Sequence, residues 1–167
     1  MSYVLVLVTS PTFWACYILM ALLIPSVAGM VFKPVTGTTK KQRAYRATGI
    51  EFALVFLPFA VVGIANGING TFAGFLASPE LPVAAMVAAS LALLHIIRAD
   101  LLRRVEQPHK PVILIGIACL VMAVSIALIV FLVTTPEITS WVAVFNAAYT
   151  SVALVLMYGF AAAAAAF

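Results

Sequence analysis

The sequence predicts an all-α, polytopic integral membrane protein of about five transmembrane helices, with its N-terminus outside and its C-terminus inside. Three observations carry that expectation. Of 167 residues, 65% are apolar and only 8% are charged, a balance foreign to soluble domains of this size. The apolar residues fall in runs that reach the roughly 20 residues a membrane-crossing helix needs. All nine Lys and Arg lie in two segments, Lys33 to Arg46 and Arg98 to Lys110. The connections 67–80 and 134–139 carry only the acids Glu80 and Glu137, so basic and non-basic loops alternate as the positive-inside rule requires.

The spans are expected near 11–32, 50–66, 79–98, 111–133 and 136–160, forming one transmembrane domain over residues 1–167. The first begins at Ser10-Pro11, a cap residue followed by a proline at the first helical position. Ser78-Pro79-Glu80 and Thr135-Pro136-Glu137 repeat that start, and Pro111 opens the fourth helix. Thr48 and Glu51 have the spacing of a capping box, which would start the second helix just after the basic loop. The amino terminus lacks the cationic region of a secretory signal and is expected to be retained. Trp14 and Trp141 fall near the outer boundary, where aromatic belts form. Six alanines close the fifth helix, and no function is read into them.

Composition excludes several classes. The net charge of +4 is explained by membrane orientation, and no nucleic-acid partner is expected. Cys16 and Cys119 both sit inside apolar runs and imply neither a disulfide framework nor a metal centre. No metal-ligand cluster, phosphate loop or serine nucleophile motif is present, so the chain is not expected to be an enzyme.

The polar residues inside apolar sequence gather in the hairpin from Thr48 to Arg104. Glu51 lies early in its first arm and His95 late in its second. An antiparallel hairpin brings them to similar depth, each about 5 Å inside its marker, Thr48 or Arg98, at 1.5 Å per residue. A capping role competes for Glu51 and a boundary position for His95. If they meet, they form a titratable pair able to relay protons or contact a quinone head group. A haem held within one chain is excluded by count, because the only other histidine is His109; a haem shared with a partner subunit is the remaining form.

Asn66, Asn69 and Asn146 lie toward the opposite end. Interhelical hydrogen bonding competes there with the lining of a pore or substrate cavity. Gly63 and Gly67 form a GxxxG pattern that favours close helix packing. The phenylalanines Phe52, Phe56, Phe59, Phe72 and Phe75 are expected to pack or face lipid rather than bind pigment.

The expected function is a small, non-catalytic integral subunit packed within a larger membrane complex, energy-transducing ones included. A homo-oligomeric channel or small transporter is the alternative, and a quinone- or haem-associated redox subunit the third. The expected surroundings are membrane lipids together with other integral subunits or copies of itself. The expected location is the bacterial inner membrane or an equivalent energy-transducing membrane, with the basic loops on the cytoplasmic side.

Overall fold

The computed structural model describes residues 10, 13, 17, 40–102, 109–135 and 139–165. Within them the chain forms α1 (Lys40–Ile68), the short α2 (Phe72–Leu76), α3 (Glu80–Leu102), α4 (His109–Thr134) and α5 (Ser140–Ala165). All but α2 are long and apolar enough to cross a membrane, so among the described residues the protein is an all-helical bundle with four candidate spans. The expected first span, 11–32, lies outside the described residues apart from Phe13 and Tyr17. Both are helical, and the Phe13 N–H donates to the Ser10 carbonyl at 3.2 Å.

α3 and α5 run parallel, because Asn146 near the start of α5 bonds to Leu76 and Ser78, just before α3 begins. α1 runs against both. Early in α1, Phe52 meets Tyr158, late in α5, edge to face at 5.6 Å. The short connections 103–108 and 135–139 leave no room for a crossover, so α4 runs back alongside α3. The bundle therefore has a turn end, with α2 and the start of α5, and a basic end, with Arg43, Arg46 and Arg98.

Packing centres on α3 and α5. Half of the apolar stretch of each is buried, against 22% in α1 and 17% in α4. Their seam is built from small side chains: Ala85, Ala88, Ala89 and Ala92 on α3, and Ala147, Ala161 and Ala162 on α5, all at 0% exposure. Lipid supplies no hydrophobic drive between helices, so small residues that let backbones approach and gain dispersion contact are what hold such a seam. Ala161 and Ala162 bring the start of the final alanine run into it. Around the seam, Phe52, Phe56, Phe75, Leu76 and Leu81 form an apolar cluster, as expected of packing phenylalanines.

Several elements differ from expectation, the end of α5 at Ala165 rather than near 160 among them. α1 starts at Lys40 rather than near residue 50. Lys40-Lys-Gln-Arg-Ala-Tyr-Arg-Ala47 contains good helix formers and no Gly or Pro, so the helix continues out of the apolar stretch into the basic segment. The capping box at Thr48 and Glu51 does not form, because a cap needs a non-helical residue at the helix start. Thr48 is instead fully buried in mid-helix. The connection 67–80 contains α2, which a five-residue segment does not announce in sequence. α3 ends at Leu102 and not near 98. α5 starts at Ser140, where the Thr139 carbonyl accepts from Val142 and Ala143 at 3.0 and 3.3 Å, four residues later than the proline at 136 suggests. α3 starts at Glu80, one residue after the expected proline start, and Ser78 Oγ does not cap the backbone but donates to Glu80 Oε2 at 2.7 Å.

Candidate functional site

His95 belongs to the buried stripe of α3, one turn beyond Ala92, and is therefore directed into the bundle rather than toward the boundary. Glu51 lies on α1 beside the buried Phe52, on the flank that faces α3. The two meet. His95 Nε2 stands 2.7 Å from Glu51 Oε2, the distance of a charge-assisted hydrogen bond in which the ring N–H donates to the carboxylate. The pair is asymmetric, with the His95 side chain 10% exposed and that of Glu51 49%. One carboxylate oxygen is thus engaged inward, while much of the side chain opens onto the outer surface. Arg98, one turn beyond His95, is exposed, as the sequence suggests for a residue reaching the boundary.

The asparagines share the turn end but do not converge on one lining. Asn146 is fully buried, and its Nδ2 donates to the carbonyls of Leu76 and Ser78 at 2.9 and 3.0 Å. The Leu76 carbonyl lies at the C-terminal end of α2, where helix carbonyls lack helical partners, and the Ser78 carbonyl lies in the turn before α3. The amide thus ties α5 to the α2–α3 turn. Asn66 is half-buried and bonds locally: its Nδ2 donates to the Val62 carbonyl at 2.9 Å and its Oδ1 accepts from Thr71 Oγ1 at 2.8 Å. Asn69 is exposed, in the turn that Gly70 completes at φ +70°, a conformation open to glycine at little cost.

Gly63 and Gly67 receive aromatic rings from α2 instead of a second long helix. A methyl group at Gly63 would sit 3.3 Å from Phe75 Cε1, while one at Gly67 would only touch Phe72 Cδ2 at 4.0 Å. Gly63 is therefore the packing glycine, and Gly67 is exposed.

One polar junction has no counterpart in the sequence reading. Tyr149 on α5 donates its hydroxyl proton to the Val121 carbonyl at 2.6 Å. Ser125, fully buried on α4, lies 2.9 Å from the same hydroxyl and donates to it. A lone serine and a lone tyrosine in apolar sequence carry no spacing signal that would pair them. Ser90 and Ser151 donate back to their own helices at Met86 and Ala147. No group of three or more metal-ligating side chains occurs among the described residues. No known protein family, curated protein or solved structure matches the chain.

Proposed function

We propose that this protein is a small, non-catalytic integral subunit that works by packing within a larger membrane assembly. The observation that carries the proposal is the closed α3–α5 seam. Alanine fills it, and Asn146, the buried amide that would best line a path, holds the bundle together through two carbonyls. What such a bundle offers to other molecules is its outer surface, where α1 and α4 present large apolar side chains. Purification in mild detergent followed by mass spectrometry of the intact assembly tests this. Partner proteins at fixed stoichiometry are expected; a symmetric ring of this chain alone would indicate the channel alternative.

The proposal includes five spans, an outer N-terminus and an inner C-terminus, in a bacterial inner membrane or an equivalent energy-transducing one. It rests on the alternation of basic and non-basic connections. A cysteine placed at Glu137 should react with an impermeant reagent added from outside, and one placed at Lys40 should not. The reverse pattern would overturn the topology.

The contact between His95 and Glu51 favours a second reading, a subunit that handles protons or a quinone head group at this pair. Ionisable groups at membrane depth are costly and are commonly retained for function. If the pair serves in this way, Glu51→Gln and His95→Ala lower the activity of the assembly without lowering its yield. Unchanged activity in both variants would leave the pair an architectural contact.

A further inference from the structure

We propose that the outer face of α1 is the docking seam for a second copy of this chain, and that Glu51 and Arg46 form reciprocal ion pairs across it. The inference deepens the packing proposal and rests on it. Ile50, Leu54, Leu57, Val61, Ile64 and Ile68 are between 46% and 81% exposed. Their spacing is i, i+4, i+7, i+11, i+14, i+18, the alternating four-three step of a coiled-coil seam. The opposite face of the same helix, marked by Thr48, Phe52 and Phe56, is buried in the bundle. The exposed seam is thus a continuous stripe nearly the length of the span.

Charge complementarity selects the occupant. With Ile50, Leu57 and Ile64 at one seam position and Leu54, Val61 and Ile68 at the other, Arg46 and Glu51 occupy the two flanking positions that carry interhelical salt bridges. In a parallel pair, the leading flank of one helix faces the residue five places later on the other, so Arg46 meets Glu51 of the second copy and Glu51 meets its Arg46. Copies inserted in one orientation are parallel by default, and a twofold axis along the membrane normal makes the contact twice. An antiparallel copy would carry Glu51 to the opposite boundary. Glu51 is prepared for the role, because His95 engages Oε2 and fixes the side chain while leaving it half exposed. The remaining flanks are small, with Ala53, Ala60 and Ala65 permitting close approach. Pro58 lies on a flank and not in the seam.

Single cysteines introduced at Leu54, Leu57, Val61 and Ile64, in a Cys16→Ser, Cys119→Ser background, are oxidised in native membranes. Disulfide-linked dimers of this chain are expected at all four, several times more abundant than from Ile113→Cys or Val130→Cys on the exposed face of α4. Arg46→Glu and Glu51→Lys should each weaken dimerisation about threefold, as a partly solvated ion pair supports, and the combined swap should recover it. Recovery by the swap supports the reciprocal pairing, and failure to recover overturns it. Seam cysteines that link to a different membrane protein overturn self-association and leave the packing proposal standing. Equally low linkage at the α1 and α4 positions overturns self-association, and the packing proposal then stands or falls on the partner proteins found in the intact assembly.

Discussion

The two ends of the bundle use polar residues in opposite ways. At the turn end, Asn146 is sealed at 0% exposure and gives both amide protons to backbone carbonyls that have no helical partner. At the basic end, Glu51 bonds to His95 through one oxygen and leaves half of its side chain open. The first arrangement is architectural, since removing the amide leaves the buried Leu76 acceptor and the half-buried Ser78 acceptor without their donor. The second keeps a polar group within reach of another molecule. Polarity at membrane depth is thus not by itself a functional sign; what distinguishes the two sites is enclosure, since Asn146 is wholly buried, with its Oδ1 unpartnered, while Glu51 reaches the surface.

The strongest way to break the comparison is at the sealed end. Asn146→Leu deprives Leu76 and Ser78 of their donor, and an unmet buried polar group costs about 1–3 kcal/mol. Thermal unfolding in detergent should show a clear loss, and hydrogen exchange should rise first in residues 76–80. An unchanged melting temperature would mean that the turn is held by apolar contacts alone.

Gly63 comes next, because its packing against Phe75 belongs to the same end. Gly63→Leu overfills the space occupied by the ring and should destabilise by about 2 kcal/mol, while Gly67→Leu, with open space around it, should have little effect. Combining Gly63→Leu with Phe75→Ala should return part of the loss. Equal sensitivity at the two glycines would restore the GxxxG pattern as a unit.

Tyr149→Phe is intermediate. It removes the bond to Val121 and leaves Ser125 without its acceptor, for an expected loss of about 1 kcal/mol seen as earlier release of α4 on heating. The smallest effect on stability is expected at the open end. Glu51→Gln or His95→Ala should cost less than about 1 kcal/mol, since a half-exposed pair gains little over solvation. A larger loss there would move the pair into the architectural class and sharpen the contrast differently.

Much of the fold is legible in the residues themselves. The apolar runs locate α1, α3, α4 and α5, and Ser78-Pro79-Glu80 marks the start of α3 closely. Meeting of Glu51 and His95 follows from a hairpin whose arms place them at one depth, although depth alone does not decide which faces they occupy. Other features leave no such mark. α2 is a single turn and a half, seated where the ring of Phe75 packs against Gly63. Thr48 has the spacing of a cap, but local spacing cannot report that the preceding basic segment stays helical.

By itself the sequence determined the four long helices apolar enough to cross a membrane and the clustering of basic residues, because each depends on composition along the chain and on the length needed to cross a bilayer. Tertiary structure alone decided which polar groups are enclosed and which reach the surface. Asn146 and Glu51 look alike in sequence, each a polar residue within apolar neighbours. Their difference arises from rotation of α5 toward the α2–α3 turn and of α1 partly toward α3, and helix rotation is set by packing partners far away in the chain.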